Sequence, residues 1–374
     1  MTVTRRVVHY VDSDSFGGSE EAALHLMASL DHSRWEPVLL HHPDPGIARL
    51  VLEATRLGIR ARAVPRWGGS RLAGTIPIWR ALRAERPAVF HAHLSWPFAC
   101  KHGVRAAWLA RVPAIVGTAQ LYLAPERGRR PPLVLRLYRR IIAVSEEVRR
   151  RYESELHVPG GRLVVARNAI RVPGAPPTAD AALRAALVDG RPDYVVITPA
   201  RLHAQKGHTY LLQAAAQVPD ATFVFAGDGP LRMALEAEAR RLGVAVRCVF
   251  LGQRSDVPAL LAAADLFVLP SLYEGLPVSV LEAMAAGRPV VATAIGGTDE
   301  AVTSEETGLL VAPRDPAALA SAIRRLQADP ALARRLAAAA RGRVERDFSS
   351  EATARQVMVI YDQVLVEAGV AHGA

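Results

Sequence analysis

The sequence predicts an α/β fold built from two doubly wound parallel-sheet domains. Short apolar runs of β type alternate with helix-like stretches along the whole chain, the pattern of a parallel sheet covered by helices. The chain has 374 residues, whereas a single hydrophobic core rarely serves more than about 250. A stretch rich in Pro, Gly and Ala at 171–181 interrupts the alternation, so we place a domain boundary there.

The first half alternates short strands with amphipathic helices. The predicted strands cover residues 7–11, 37–40, 60–64, 88–91, 114–117 and 141–144, and the longest predicted helices cover 19–30, 72–85 and 96–111. This half therefore makes one doubly wound unit. In the second half, the predicted strands cover 194–198, 222–226, 247–251, 266–269, 289–292 and 308–311.

The predicted domain bounds are 1–175 and 176–350, followed by a C-terminal helix in 351–374. The segment 350–368 is amphipathic and helical, and it either caps the second domain or crosses back to the first. No apolar run reaches the ~18 residues that a membrane span needs, and the N-terminus lacks a signal-peptide core. We therefore expect a cytoplasmic chain.

The composition excludes several classes of protein. Half of the residues are apolar and 22% are charged, which is typical of a packed globular protein. The only cysteines, Cys100 and Cys248, lie far apart and outside any C-x-x-C spacing. This spacing argues against a disulfide scaffold, a structural zinc site and thiol redox chemistry.

Positive charge is concentrated in the first half. The net charge is +10, and residues 1–190 hold 28 basic and 16 acidic side chains, against 18 and 20 in residues 191–374. No zinc-finger, helix-turn-helix or RNA-binding signature accompanies this charge, so we expect no nucleic-acid partner. The Arg-rich stretch 127–140 has two interpretations: it binds an anionic membrane or an acidic acceptor, or it is an ordinary solvated helix face.

Ligands of open parallel sheets bind where strands end and helices begin. The first strand leads into Gly17 and Gly18, which let backbone amides approach an anion at a helix start, although an ordinary turn has the same residues. Gly227 and Gly229 lack the third glycine of a dinucleotide fingerprint. A nicotinamide cofactor is therefore not expected.

Two cations follow the predicted strand 194–198. Arg201 offers a planar fork of donors, and Lys206, one of only two lysines in the chain, offers a point charge. Together they suit the two phosphates of a nucleoside diphosphate. A solvated basic loop is the alternative interpretation.

Two carboxylates separated by seven residues follow the predicted strand 266–269. Glu274 lies in the loop, and Glu282 is predicted two turns into a helix that starts near Pro277, so both face one site. The amides of that helix start attract phosphate. The carboxylates are expected to accept hydrogen bonds from sugar hydroxyls, because a polyanion repels them. Either glutamate taken alone is equally well explained as a solvated helix acid.

The stretch from Glu274 to Glu282 resembles the E-x(7)-E signature of retaining glycosyltransferases with the GT-B fold, and of family 4 in particular. The resemblance covers nearly the whole chain. The other motifs follow in the family's order: GGSE at 17–20, HAH at 91–93, AVSEEV at 143–148, RNAI at 167–170, ARLHAQKG at 200–207, AGDGPL at 226–231, FLGQRSDV at 250–257 and AIGGTDE at 294–300. The resemblance implies two Rossmann-like domains that face an interdomain cleft.

The same resemblance implies a role for each candidate residue. Arg201 and Lys206 would hold the donor diphosphate, and Glu282 the ribose hydroxyls. The transferred sugar would contact Glu274 and the backbone of Gly275, Leu276, Pro277 and Val278. The nucleobase would contact Arg254. The phosphates and the acceptor would contact Gly17 and Gly18.

The chain departs from the family pattern at Gln120, where many members carry a His that contacts the donor sugar. Gln120 still donates and accepts hydrogen bonds. His91 and His93, at the end of the preceding strand, either contact the acceptor or sugar or serve as packing residues. Ala200 replaces a common Gly, which is a conservative change.

The implied reaction moves a hexose or N-acetylhexosamine from a UDP or GDP sugar to a hydroxyl acceptor with retention, by front-face attack. No D-x-D motif occurs in residues 191–374, where the diphosphate is expected, so we expect the two cations to replace a metal and expect no cofactor. A GT-B epimerase or phosphorylase and an inactive sugar-nucleotide-binding partner are the competing interpretations. Lipid-linked sugars, polysaccharide ends and small metabolites all remain candidate acceptors.

Overall fold

The computed structural model describes residues 4–66, 74–122 and 133–370, and the chain divides into two compact units. The N-terminal unit joins residues 1–171 to residues 350–374, and the C-terminal unit comprises residues 172–349. Each unit contains one parallel sheet covered by helices, and the predicted fold class is confirmed.

The N-terminal unit contains a seven-stranded sheet in the order β3-β2-β1-β4-β5-β6-β7, in which every pairing is parallel. Its strands are β1 (Arg5–Val11), β2 (Trp35–His41), β3 (Arg60–Ala63), β4 (Val89–Leu94), β5 (Ala114–Ala119), β6 (Arg140–Ala143) and β7 (Leu163–Val165). The sequence analysis missed β7, because a strand of three residues is too short for a periodic signal.

Among the described residues, the α-helices that connect these strands are α1 (Gly18–Ser29), α2 (Ala48–Arg56), α3 (Ile76–Glu85), α4 (Lys101–Leu109) and α5 (Glu146–Ser154). The prediction for α4 began too early, at residue 96. The backbone of Cys100 is left-handed at φ 56°, and its N–H donates to Asp12 Oδ2 at 2.6 Å, so the helix begins only at the next residue. Residues 72–73 of the predicted helix 72–85 lie outside the described residues.

The C-terminal unit contains a six-stranded parallel sheet in the order β10-β9-β8-β11-β12-β13. Its strands are β8 (Tyr194–Pro199), β9 (Ala221–Ala226), β10 (Cys248–Gly252), β11 (Leu266–Leu269), β12 (Val290–Thr293) and β13 (Leu309–Val311). Its helices are α6 (Ala181–Val188), α7 (His208–Ala215), α8 (Arg232–Arg241), α9 (Val257–Ala263), α10 (Val278–Ala285), α11 (Thr298–Ala301), α12 (Pro316–Ala328) and α13 (Pro330–Asp347).

The last helix, α14 (Ser350–Glu367), belongs to the core of the N-terminal unit. Its ring at Tyr361 packs edge-on against Trp35, with the centroids 5.1 Å apart. Its other buried residues are Ser350, Ala354, Val357, Met358, Ile360, Val364 and Leu365. The amphipathic pattern of the segment thus buries one face against residues more than three hundred positions away along the chain.

Within the described residues, no helix combines the length and apolar character that crossing a lipid bilayer requires.

Candidate active site

The loop after β8 holds both predicted cations of the C-terminal unit. A short 3-10 turn at Ala204–Lys206 brings Lys206 toward the neighbouring strand β11. Gly207 ends this turn at φ 64°, and a Cβ at Gly207 would lie 2.1 Å from the carbonyl oxygen of Pro270. Glycine is therefore required where the loops after β8 and β11 approach each other.

A buried ion pair joins these two loops. Lys206 Nζ donates to Glu274 Oε1 at 2.5 Å, and the two side chains are only 15% and 6% exposed. Ser271 Oγ donates to the same oxygen at 2.7 Å, and Gln205 Nε2 donates to Glu274 Oε2 at 3.3 Å. Gln205 Nε2 also donates to the carbonyl of Tyr273 at 2.9 Å. Three donors therefore fix the carboxylate, as a buried charge requires.

Gln205 and Ser271 were missed by the sequence analysis. Each lies within three residues of a predicted site residue, Gln205 next to Lys206 and Ser271 before Glu274. A polar side chain beside a predicted charged residue was the available signal, but many surface loops carry such neighbours. Their contact with Glu274 depends on the packing of the two loops, which spacing along the chain does not show.

Arg201 lies near the ion pair with its guanidinium unengaged. Burial and the charge of Glu274 raise the pKa of Tyr273, and the charge of Arg201 opposes that rise. The Arg201 side chain is exposed and makes no hydrogen bond or ion pair within the described parts of the chain. Its backbone is held by buried His208, whose Nε2 donates to the Arg201 carbonyl at 3.1 Å. Burial and nearby Lys206 lower the pKa of His208 to about 4, so this imidazole is neutral.

The second glutamate of the signature lies on α10. The helix begins at Val278 because Pro277, in an extended conformation, precedes it as the N-cap. Glu282 is therefore the fifth helical residue, just over one turn from the start, and the prediction of two turns was wrong. Gly275, Leu276, Pro277 and Val278 are all buried at this helix start.

Arg254 lies apart from this group, in the loop after β10. Its Nε and one terminal nitrogen donate to the two Asp256 carboxylate oxygens at 2.7 and 2.5 Å. Arg254 lowers the pKa of Asp256 through these bonds. Strand β9 separates β10 from β8, so the sheet places Arg254 at its outer end and Lys206 near its centre.

The first turn of α1 carries the glycine pair of the N-terminal unit. Gly17 is the N-cap and Gly18 the first helical residue. The Gly17 N–H donates to Glu20 Oε2 at 2.9 Å, and Ser13 Oγ donates to Glu20 Oε1 at 2.7 Å. Burial raises the pKa of Glu20, and hydrogen bonds from Ser13 and other donors oppose the rise. The sequence analysis assigned Glu20 no role, yet it already occupies the Gly17 amide.

His91 and His93 belong to a buried cluster with His9. His91 bonds through one nitrogen to the Tyr361 hydroxyl at 2.5 Å and through the other to Thr118 Oγ1 at 2.7 Å. Both His91 nitrogens are thus engaged inside the N-terminal core, which accounts for this residue as a packing residue. His93 Nε2 lies 3.0 Å from His9 Nδ1, and its Nδ1 is buried without a partner in the described structure.

Burial lowers the pKa of all three imidazoles, to about 3 for His93. One nitrogen from each lies within 4.8 Å of the others, so His9, His91 and His93 form a group with metal-ligand chemistry in the described residues. Both ring nitrogens of His91 already bond to Tyr361 and Thr118, whereas His9 Nε2 and His93 Nδ1 have no partner among the described residues. These imidazoles are therefore neutral hydrogen-bonding groups.

A cavity of about 30 Å³ within the N-terminal unit brings His93 and Gln120 together. Gln120 Oε1 accepts from Asn168 Nδ2 at 2.8 Å, and both side chains are more than 90% buried. The other polar residues lining the cavity are Thr118, Arg167, Ser350 and Thr353. Asn168, which lies in the RNAI motif, was not assigned a role from sequence, and it determines the direction in which the Gln120 amide points.

Two family models match the chain, one in each unit. The model described as "Glycosyltransferase Family 4" matches residues 16–172, and the model described as "Glycosyl transferases group 1" matches residues 181–343.

Curated relatives carry the same assignment. The chain is 34% identical to glycogen synthase of Mycobacterium tuberculosis over 75% of its own length and 69% of that protein. It is 30% identical to the UDP-Gal:alpha-D-GlcNAc-diphosphoundecaprenol alpha-1,3-galactosyltransferase of Escherichia coli, over 69% of its own length and 70% of that protein. The match to the glycosyltransferase EpsD of Bacillus subtilis, at 35% identity, spans 45% of each chain.

Solved structures share the fold at lower identity. HepE of Anabaena in complex with UDP-glucose aligns with 96% of this chain and 100% of its own, with a TM-score of 0.83 and 21% identity. At this low identity, the similarity shows that the two proteins share a fold and nothing more.

Proposed function

This chain belongs to the GT-B glycosyltransferases of family 4, and from that membership we propose that it moves a hexose or N-acetylhexosamine from a nucleoside-diphosphate sugar to a hydroxyl acceptor, with retention. The buried Lys206–Glu274 pair, with unengaged Arg201 beside it, carries this proposal. It combines two cations for a diphosphate with a carboxylate for a sugar at the ends of adjacent strands.

The cations would bind the diphosphate. Arg201 has free donors, so it would engage a phosphate at no cost in existing contacts. Lys206 has three donor hydrogens, of which Glu274 uses one, so it would reach a second phosphate while keeping the ion pair. Glu274 would then retain acceptor capacity at Oε2 for the sugar hydroxyls.

The reaction would proceed by front-face attack, in which the acceptor oxygen approaches on the side that the diphosphate leaves. No protein nucleophile is required. Arg201, Lys206 and the start of α10 would stabilise the negative charge that develops on the leaving diphosphate. We propose that these charges take the place of a metal ion.

The donor is proposed to be a UDP sugar, with GDP sugars as the alternative. The name of the Escherichia coli relative contains UDP-Gal, and HepE was crystallised with UDP-glucose. Arg254 would meet the nucleobase, and Glu282 the ribose hydroxyls.

The acceptor would be held by the N-terminal unit, through His93 and the start of α1, and Gln120 would contact the donor sugar. The relatives named above act in different polymer and glycolipid systems, so a lipid-linked sugar and a polysaccharide end both fit. We propose a cytoplasmic enzyme in which the basic N-terminal unit contacts the anionic face of a membrane.

Purified protein incubated with UDP and GDP sugars tests the proposal. We expect donor hydrolysis with at least one sugar nucleotide, and an NMR spectrum of the released or transferred sugar that retains the anomeric configuration of the donor. Inversion would contradict the front-face mechanism. An inactive binding partner would bind the nucleotide and release no sugar, and an epimerase would return an altered sugar nucleotide.

Two single variants separate the roles of the carboxylates. Glu282→Ala should weaken the binding of free UDP, because it removes the ribose contact. Glu274→Gln should leave UDP affinity within about threefold and reduce turnover by about 100-fold, a loss of the size expected for a contact made in the transition state. If both variants bind UDP and turn over like the parent, the two glutamates have no role in donor binding or turnover.

A further inference from the structure

Helices α3 and α4 of the N-terminal unit form one outer surface. They pack against each other, and Thr75 Oγ1 at the start of α3 lies 3.3 Å from His102 Nδ1 in the first turn of α4. The two helices therefore begin side by side. Their solvent-facing sides make one surface, called here the α3–α4 face.

Along α3, apolar and cationic side chains share the exposed side. Ile76, Trp79, Arg80 and Arg83 are spaced i, i+3, i+4 and i+7, which places them on one stripe of the helix. All four are exposed, with Ile76 at 40% and Trp79 at 37%. A soluble helix normally keeps such a stripe polar.

Helix α4 repeats the combination. Lys101, Arg105, Trp108 and Leu109 are spaced i, i+4, i+7 and i+8 on its outer side. Trp108 is 59% exposed and Leu109 is 51% exposed. The α3–α4 face therefore carries two exposed indole rings and four cationic side chains, of which Arg105 is half-buried.

The cations of this face, Arg80, Arg83, Lys101 and Arg105, have no ion-pair partner in the part of the chain that the structure describes. Exposed arginines elsewhere in the same unit behave differently: on α5, Arg149, Arg150 and Arg151 all pair with glutamates of their own helix. Unpaired exposed arginines also occur singly elsewhere, such as Arg240 and Arg334 in the C-terminal unit, so what distinguishes the α3–α4 face is that its cations lie beside exposed tryptophans.

The distribution of tryptophan points in the same direction. All five tryptophans of the chain lie within its first 108 residues, and the C-terminal unit has none. Indole rings prefer the headgroup region of a bilayer, where one edge is apolar and the other polar. Arginine and lysine beside them attract anionic lipid phosphates.

We infer that the α3–α4 face is the surface on which this chain lies against an anionic lipid bilayer, with Trp79 and Trp108 at headgroup depth and the surrounding cations on lipid phosphates. This inference rests on the proposed membrane association and gives it a location. It also moves the contact away from the basic stretch 127–140, of which residues 127–132 lie outside the described residues. Lipid binding at this face needs neither the donor nor the acceptor.

Co-sedimentation of the full chain with vesicles tests the inference. We expect binding to phosphatidylglycerol vesicles at low salt, loss of binding at high salt, and no binding to phosphatidylcholine alone. The variant Arg80→Gln/Arg83→Gln/Lys101→Gln should bind about 100-fold more weakly, at roughly fivefold for each cation removed. Trp79→Ala/Trp108→Ala should bind about tenfold more weakly and lose the blue shift of Trp emission that vesicles induce.

Matched controls come from the C-terminal unit. Arg240→Gln/Arg334→Gln removes two exposed cations that have no partner among the described residues, and Met233→Ala removes a side chain of a residue that is 76% exposed. Both should bind vesicles like the parent. A parent chain that ignores anionic vesicles at low salt, or controls that lose as much binding as the α3–α4 variants, would overturn the inference.

Two further outcomes are informative. If the parent sediments as a dimer without lipid and Trp79→Ala/Trp108→Ala makes it a monomer, the face belongs to a second copy and the membrane assignment is wrong. Donor hydrolysis without vesicles should be the same in the parent and in every variant. A chain that binds vesicles but hydrolyses no sugar nucleotide would contradict the proposed function and leave the membrane face intact.

Discussion

In the C-terminal unit the loops after two central strands carry a buried ion pair, whereas in the N-terminal unit two central strands themselves carry buried, neutral imidazoles. Lys206 and Glu274 follow β8 and β11, and His9, His91 and His93 lie on β1 and β4. Both sheets have the same doubly wound design. The C-terminal unit therefore has charged side chains at this position, and the N-terminal unit has neutral ones.

Net charge points the opposite way. The N-terminal unit holds 28 basic and 17 acidic side chains, and the C-terminal unit 18 and 19. The excess positive charge of the N-terminal unit includes the unpaired cations of the α3–α4 face, on its outer helices. The net charge of a unit therefore does not predict where the proposed anion site lies, because two or three positioned cations at a strand end are sufficient.

Removing α14 should produce the largest difference in stability between the two units. A chain that ends at residue 349 loses seven buried apolar side chains of the N-terminal core, at about 1.5–3 kcal/mol each. The sum exceeds about 10 kcal/mol, comparable to the whole stability of a domain. We expect no cooperative unfolding by Trp fluorescence, which reports only the N-terminal unit, and a remaining transition by far-UV circular dichroism.

A chain that ends at residue 370 is the control for this truncation, because it keeps α14 whole. A Trp-monitored transition at the parent's denaturant midpoint in the chain ending at 349 would show that α14 is dispensable for the core.

The second-largest effect is expected from acid, which should destabilise the N-terminal unit more than the C-terminal unit. The folded pKa values of His9, His91 and His93 lie below the ordinary value of 6.5, so the stability they contribute is complete above 6.5 and is lost as the pH falls toward the folded pKa values, about 3 for His93. At pH ~5 the loss is about 2 kcal/mol for His93, since only the unfolded chain takes up protons. The C-terminal unit has one such residue, His208.

Urea unfolding at several pH values measures this difference. The Trp-monitored midpoint should fall more steeply than the transition of the C-terminal unit between neutral pH and pH ~5, before most carboxylates titrate. Parallel pH profiles for the two units would contradict the assignment of buried neutral imidazoles.

Replacing Arg201 or Lys206 with Ala should weaken ligand binding more than it lowers the stability of the fold. Arg201→Ala and Lys206→Ala each remove a charge-assisted contact, so UDP binding should weaken by about 10- to 100-fold, or ~1.5–3 kcal/mol. Lys206→Ala should also lower stability, because Glu274 loses its charged partner, whereas exposed Arg201 should not. Titration calorimetry measures the UDP affinity of both variants, and urea unfolding measures their stability, with Arg240→Ala as the control in each. Unchanged affinity in both variants would show that Arg201 and Lys206 do not bind the diphosphate.

The smallest effect is expected from substitutions of Gln120 in the N-terminal unit. Gln120→Ala removes one buried hydrogen bond to Asn168 and should cost about 1 kcal/mol of stability. Gln120→Glu keeps the size and the acceptor oxygens, so it should keep the bond to Asn168 while adding a charge near the proposed sugar. Comparing KM for the donor in the two variants shows whether position 120 touches substrate, because a purely structural residue would leave KM unchanged.

Much of the candidate site was accessible from sequence because strand ends are recognisable locally. The rule that ligands gather after parallel strands led directly to Arg201, Lys206 and Glu274. The same rule selected His91 and His93 equally, since both belong to one HAH motif. Only the structure separates them, because Tyr361, which occupies His91, lies 270 residues further along the chain.

The sequence by itself determined the fold class, the position of the strand ends and the charges that follow them, because periodicity and turn chemistry act over a few neighbouring residues. The tertiary structure alone decided which of those residues meet. Lys206 reaches Glu274 across 68 positions because β8 and β11 are neighbours in the sheet. Helix α14 completes the N-terminal core for the same reason: an amphipathic pattern shows that a face is buried, while the surface that covers it depends on contacts far along the chain.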